Sequence, residues 1–169
     1  MSNSHQVVVL MGVSGSGKTA VGTRLSELLG WPFYDGDDFH PKENVEKMAS
    51  RIPLEDGDRA AWLAALHEII AEHLAQDRSI LLACSALKRT YRDQLAEGNP
   101  GIIFVYLKGD FDLIFERMQT RTGHYMQAEM LRSQFETLEE PGEALIVDVN
   151  QSLDTIVSII ITQLRLSEE

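Results

Sequence analysis

Gly12-Val13-Ser14-Gly15-Ser16-Gly17-Lys18-Thr19 is the stretch whose reading decides the fold. It satisfies the pattern G-x-x-x-x-G-K-[ST]. The run Val7-Val8-Val9-Leu10-Met11 before it reads as a short buried strand rich in β-branched residues. The residues after it place Val21, Leu25, Leu28 and Leu29 at helical spacing. The pattern therefore sits between a strand and a helix, the setting in which it binds phosphate. Glycines let successive N–H groups point into one concavity, where they hold anionic oxygens. The helix behind them adds the positive end of its dipole. Lys18 is placed to reach the outer phosphates of a nucleoside triphosphate, and the Thr19 hydroxyl to ligate Mg²⁺. Candidate ATP-binding residues are thus Gly12, Val13, Ser14, Gly15, Ser16, Gly17, Lys18 and Thr19.

Composition narrows what surrounds this loop. A chain of 169 residues with 44% apolar residues is expected to form one domain, residues 1–169, with a proper core. A formal net charge of -11 makes nucleic acid an unfavourable partner. The single cysteine, Cys84, allows no intrachain disulfide and fits a reducing compartment. Cys84 reads as a small buried residue rather than a nucleophile. The start of the chain lacks a basic segment followed by an apolar one, and no apolar run is long enough to span a bilayer. The expectation is a cytoplasmic protein with no membrane partner.

Outward from the loop, apolar runs and helical patterns alternate. Pro32-Phe33-Tyr34, Ser79-Ile80-Leu81-Leu82-Ala83, residues 102–107 and Ala144-Leu145-Ile146-Val147 are continuous apolar runs, as in strands covered on both faces. Trp62, Leu63, Leu66, Ile69, Ile70 and Leu74 form one helical stripe, with Asp58 as its expected N-cap. Leu153, Ile156, Val157, Ile160, Ile161 and Leu164 form another. This alternation implies an α/β fold with a parallel, doubly wound sheet. In such sheets ligands bind beyond the carboxyl ends of the strands.

The residues at those ends carry the candidate chemistry. Asp35-Gly36-Asp37-Asp38-Phe39-His40 follows the second strand. Asp35 is the candidate to organise Mg²⁺ through its water shell. Asp37 is the candidate to hold an acceptor hydroxyl and take its proton. Asp38 and His40 also suit a cap for the helix beginning near Pro41. The third strand closes on Cys84 where many triphosphatases place a metal-binding Asp, which leaves the metal role to Asp35. Lys88 and Arg92, four residues apart, are expected to face an anionic substrate. Arg59 is poorly placed for the dipole at a helix start, which suggests a grip on a carboxylate. Arg117 and Arg121 precede a glycine-containing break, and read as lid arginines over ATP, the lid lying at about residues 122–130. Asp148-Val149-Asn150 reads as a turn and helix cap near the nucleotide base.

Taken together, these residues resemble one family. Met11-Gly12 with the phosphate loop, Asp35 to Pro41, Asn44, Glu46-Lys47-Met48, Pro53-Leu54, Asp58-Arg59 and Trp62-Leu63 carry the resemblance. So do Cys84-Ser85-Ala86-Leu87-Lys88, Tyr91-Arg92-Asp93, residues 106–110, Gly123-His124 and Ser133-Gln134-Phe135-Glu136-Thr137-Leu138-Glu139. The chain resembles the gluconokinases, within the shikimate-kinase and nucleoside-monophosphate-kinase group. The resemblance implies a three-layer phosphate-loop fold whose five-stranded parallel sheet has the order 2-3-1-4-5, with helices on both faces, a small lid and usually a homodimer. It implies ATP-dependent phosphorylation of D-gluconate at its 6-hydroxyl. By similarity to shikimate kinase, Asp37 falls where an acidic residue holds the acceptor hydroxyl, and Arg59 where an arginine binds the acceptor carboxylate. With the residues read above, the catalytic candidates are Lys18, Asp37 and Arg121, the acceptor-binding candidates Asp37, His40, Arg59, Lys88, Arg92 and His124, and the metal candidates Thr19 and Asp35. Where the family usually has a glycine after Lys47-Met48, this chain has Arg51.

Two other readings remain at this point. One is a kinase for shikimate, a nucleoside monophosphate or another aldonate. The other is a nucleotide-dependent switch. The switch requires D-x-x-G and N-K-x-D, and neither occurs in the chain.

Overall fold

The computed structural model describes residues 5–99, 101–122 and 127–168, with the side chains of residues 121, 122 and 127 left out of the description. Val7–Met11 forms β1, and every residue of it is fully buried. It pairs in parallel with β3 (Ile80–Ala83) on one side and β4 (Ile102–Lys108) on the other. β2 (Phe33–Asp35) extends the sheet beyond β3, and β5 (Leu145–Asp148) beyond β4. The described strands form one parallel sheet ordered β2-β3-β1-β4-β5, which matches the order implied by the resemblance.

Alternation along β1 divides the core in two. Val8 and Leu10 face a cluster with Leu81, Val105 and Leu107. It is closed by α1 (Lys18–Leu29) and α7 (Leu153–Leu164). Val7, Val9 and Met11 face the other way, onto Ile80, Leu82 and Tyr106. That side is closed by α3 (Asp56–Ala75) and α4 (Arg89–Ala96). A third, smaller cluster joins Val13 and Leu87 to Ile114 and Met118 of α5 (Phe111–Thr122) and Leu131 of α6 (Gln127–Thr137). It packs α5 and α6 against the loops at the carboxyl end of the sheet. Between β2 and α3 lie a 3-10 turn (Gly36–Phe39) and α2 (Lys42–Ala49). Among the described residues no helix is long and apolar enough to cross a membrane.

Local details depart from the expectations in four places. Leu28 and Leu153, assigned to the helical stripes, are each 38% exposed at the edges of their helices. Asp58 is not the cap of α3: Glu55 is, and Asp58 accepts the Glu55 N–H from the third helical position, which completes a capping box. Pro41, rather than Asp38 or His40, caps α2. Asp148 does form a turn, accepting the Asn150 N–H at 2.8 Å, but Ser152 caps α7.

Arg51 shows why its position favours glycine. It follows the C-cap of α2 with φ 61°, a left-handed conformation. Ile52 N–H donates to Lys47 O and Arg51 N–H to Met48 O, the paired bonds of a Schellman ending. The backbone there keeps the glycine geometry, and the arginine side chain bears the steric cost.

Candidate active site

The phosphate loop leaves β1 at the middle of the sheet. Gly12 (φ 146°) and Gly15 (φ 80°) hold conformations that L side chains rarely adopt. A Cβ at Gly12 would meet Leu107 O at 2.9 Å, and one at Gly15 would meet Met118 Cγ at 2.5 Å. The loop is therefore closed to side chains both by conformation and by its neighbours. Gly17 caps α1 without a side chain, so the first N–H groups of the helix remain for an anion. Lys18 Nζ donates to Gly12 O at 2.8 Å and Val13 O at 3.0 Å, leaving one of its three N–H bonds for a ligand. Burial lowers the Lys18 pKa, and the nearby carboxylates of Asp37 and Asp35 oppose that shift. Among the described residues Ser16 Oγ is buried with no hydrogen-bond partner. An unsatisfied hydroxyl inside a phosphate loop is the kind of group a bound phosphate satisfies.

Asp35 ends β2 and organises the turn behind it. Its Oδ1 accepts the Asp37 N–H at 3.0 Å, and its Oδ2 accepts the Thr19 hydroxyl at 3.1 Å. The two oxygen donors assigned to Mg²⁺ thus lie side by side. Trp62 Nε1 donates to Gly36 O at 2.7 Å and pins the turn from α3. The Asp37 side chain is 84% exposed, whereas that of His40 is 5% exposed. The carboxyl reaches solvent, but the chain packed around its base desolvates it in part, and this and then the adjacent Asp35 charge push it above its ordinary pKa, against the pull of Lys18 and His40. A raised pKa suits a group that accepts a proton.

His40 is placed differently from a direct substrate ligand. Its ring stacks on Trp62, centroids 4.2 Å apart and 14° from parallel. Asn44 Nδ2 donates to Asp58 O at 2.9 Å and lies 3.3 Å from His40 Nδ1. An amide nitrogen only donates, so Nδ1 accepts and the ring proton sits on Nε2. Nε2 lies 3.9 Å from Asp37 Oδ1. Burial lowers the His40 pKa and favours the neutral ring, with the Asp37 charge opposing the shift and Arg59 adding to it.

The acceptor-side cations converge on Tyr91. Arg59 Nη1 donates to the Tyr91 hydroxyl at 3.3 Å, and that hydroxyl donates to Asp56 Oδ1 at 2.7 Å. Lys88 Nζ reaches the same Asp56 oxygen at 3.3 Å. Both cations also lie over the Tyr91 ring, at 5.7 and 5.6 Å. The surface carboxylate of Asp56 thereby joins Lys88 to the Tyr91 hydroxyl that Arg59 also reaches. Tyr91 and Asp56 escape a sequence reading because they join Arg59 and Lys88 only through the packing of α3 on α4.

Arg92 corrects an expectation. It is 7% exposed. Nη1 donates to Ala86 O at 2.7 Å and Leu87 O at 3.3 Å, and Nη2 to Glu139 O at 2.8 Å. Lys88 is the N-cap of α4 rather than part of its first turn, so the two cations do not share a helical face. Three of its five N–H bonds go to these carbonyls, which ties the guanidinium to the chain instead of leaving it a free cation on a helix face. Cys84 is as expected, 2% exposed with its thiol pushed by burial to about 12. Arg117 lies with Gly15, Ser16 and Gly17 along a cleft of about 540 Å³ beside the phosphate loop. The Arg121 side chain and His124 lie outside the described residues, as does most of the expected lid tip.

One residue of the Ser133–Glu139 stretch, to which the sequence assigned no role, also reaches the loop. Gln134 of α6 accepts the Ser14 N–H at 2.7 Å and donates to Ser14 Oγ at 2.9 Å.

With this geometry in hand, comparison with known proteins is specific. The shikimate kinase family model matches residues 14–164. Thermoresistant gluconokinase of Escherichia coli K12 is 48% identical over 161 residues, covering 93% of this chain and 92% of its own. Gluconokinase of Gluconobacter oxydans 621H is 48% identical, covering 85% of this chain and 80% of its own. A crystal structure of a gluconokinase from Sinorhizobium meliloti 1021 superimposes with a TM-score of 0.87 at 45% identity, covering 97% of this chain and 94% of that one. Shikimate kinase from Aquifex aeolicus shares the fold alone, at 16% identity and a TM-score of 0.59. The chain belongs to the gluconokinase family of phosphate-loop kinases, within the wider shikimate-kinase group.

Proposed function

We propose that the protein transfers the γ-phosphoryl group of ATP to the 6-hydroxyl of D-gluconate. The observation that carries this reading is the meeting of three features at one end of the sheet. These are a phosphate loop, a solvent-facing carboxylate at Asp37, and a cation pair at Arg59 and Lys88. An acceptor that is an alcohol at one end and a carboxylate at the other fits Asp37 and the cation pair together. The named gluconokinases at 48% identity support gluconate over shikimate or a nucleoside monophosphate.

In this reading ATP lies along residues 12–19, and Arg59 and Lys88 hold the gluconate carboxylate. Asp37 accepts a hydrogen bond from the 6-hydroxyl. The hydroxyl oxygen attacks the γ-phosphorus, the bond to ADP breaks, and the hydroxyl proton passes to Asp37. Lys18 and the arginines Arg117 and Arg121 offset charge spreading over the phosphoryl oxygens. Thr19 and Asp35 offer hard oxygen ligands that would hold Mg²⁺, which would supply positive charge beside the phosphates. His40 and Trp62 keep Asp37 oriented, and His124 belongs to the acceptor side. One kinase domain, paired as a homodimer and working in the cytoplasm, completes the proposal. The single buried cysteine is in keeping with a reducing compartment.

The test is ADP release with gluconate for Asp37→Asn. Loss of about 10²-fold or more in kcat with little change in the KM for ATP is expected of a general base. Turnover close to wild type would remove Asp37 from the chemistry.

A further inference from the structure

Ser14 sits at the tip of the phosphate loop, and the structure fixes which way its hydroxyl hydrogen is free to turn. A backbone N–H only donates, so the Gln134 atom 2.7 Å from Ser14 N is the amide oxygen. The amide nitrogen therefore faces Ser14 Oγ, at 2.9 Å. The hydroxyl accepts from Gln134, and its own hydrogen is left to be donated elsewhere. Beside it is the triphosphate cradle.

The side chain that imposes this arrangement is itself firmly held. Gln134 precedes the end of α6, and Leu138 N–H donates back to Gln134 O at 2.9 Å. Glu139 then donates its N–H to Leu87 O at 2.8 Å, accepts the Arg89 N–H on Oε1 at 2.9 Å, and accepts Arg92 Nη2 on its carbonyl at 2.8 Å. Gly12 N–H closes the circuit on Ser85 O at 3.3 Å. Phe135 and Leu138 pack into the cluster that holds Val13 and Leu87. The segment from Gln134 to Glu139 is thus a strap between the phosphate loop and the loop that carries Lys88.

We propose that Gln134 is a positioning residue for phosphoryl transfer, acting through Ser14: it holds the loop tip and turns the Ser14 hydroxyl into a donor toward the triphosphate of ATP. This rests on the ATP-kinase reading. The family's phosphate loop does not require it, because G-x-x-x-x-G-K-[ST] leaves the Ser14 position unspecified.

The test is steady-state kinetics of wild type, Gln134→Ala, Gln134→Glu, Ser14→Ala and the double variant Gln134→Ala/Ser14→Ala, each with thermal melting. Gln134→Ala is expected to lower kcat/KM for ATP about tenfold, the worth of one well-placed hydrogen bond. The KM for gluconate should change less than twofold. Ser14→Ala keeps the backbone bond to Gln134, so it is expected to fold normally and to lose a similar factor. The double variant should be no worse than about the worse single one, because both remove one interaction. Glutamate accepts the Ser14 N–H but cannot donate to the hydroxyl, so Gln134→Glu should lose more than Gln134→Ala while melting near wild type. Multiplicative losses in the double variant, equal loss toward gluconate and ATP, or a Gln134→Glu enzyme as active as wild type would each overturn the proposal. Absence of wild-type turnover would overturn the kinase reading and this inference with it. Wild-type turnover with multiplicative variants would overturn the inference alone.

Discussion

Replacing Arg92 by lysine separates a structural cation from a substrate-binding one. The Arg92 fork donates to Ala86 O, Leu87 O and Glu139 O, and only 7% of the residue is exposed. A lysine ammonium is compact and cannot span the carbonyls on both sides of the fork. At least one buried carbonyl then loses its donor, which costs about 1–3 kcal/mol. Taking about 2 kcal/mol, the melting temperature of a domain this size falls by roughly 4–8 °C. Arg92→Met takes the guanidinium from Ala86 O and Glu139 O, while Leu87 O keeps the Glu139 N–H, and should cost about 2–4 kcal/mol. The backbone around Lys88 stays tied through Gly12 N–H to Ser85 O and Glu139 N–H to Leu87 O. For Arg92→Lys the KM for gluconate should therefore change less than about threefold. Thermal melting and urea unfolding give the stability, and a coupled ADP assay gives the KM. A variant as stable as wild type with a KM raised about tenfold would refute this reasoning and return Arg92 to the substrate.

Two further predictions follow from single positions. Arg51→Gly should stabilise the protein by roughly 0.5–1 kcal/mol in urea unfolding, because the left-handed ending of α2 suits glycine; destabilisation would show that the arginine side chain makes compensating contacts. Cys84 should resist a disulfide exchange reagent at pH 8 in the native protein and react once in denaturant, since its thiol is buried and pushed up to about 12. Its folded pKa lies above the unfolded value, so unfolding becomes easier as the pH rises from 9.0 toward about 12 and the unfolded thiol ionises first. Cys84→Ala should show a shallower alkaline decline in stability, and an identical decline would deny the shift.

The sheet was legible in the sequence because its strands are continuous apolar runs, and β1 leads into a loop whose pattern admits few alternatives. The strand order came with the family resemblance, since alternation alone does not say which strands are neighbours. The carboxylates Asp35 and Asp37 were readable because they share one turn at a strand end. The errors fell at a contact distant in sequence and at a helix start displaced by a few residues. Arg92 looked like a surface cation at helical spacing from Lys88, but the carbonyl of Glu139 drew it inward. Asp58 looked like a cap because it precedes an apolar stripe, yet α3 begins two residues earlier, at Asp56, and uses Asp58 in its first turn. Gln134 meets Ser14 across 120 residues, and Tyr91 meets Arg59 across 32, so no local pattern announces either contact.

The central claim is that this end of the sheet hands the γ-phosphate to an alcohol that also bears a carboxylate. The most direct measurement is kcat/KM in an ATP-coupled assay across gluconate, other aldonates, shikimate and nucleoside monophosphates. Gluconate should be turned over with the highest kcat/KM, phosphorus NMR of the product should show the phosphate on the 6-oxygen, and ATP should be hydrolysed only slowly without an acceptor. Preferential turnover of shikimate or a nucleoside monophosphate, or ATP hydrolysis indifferent to gluconate, would contradict the claim.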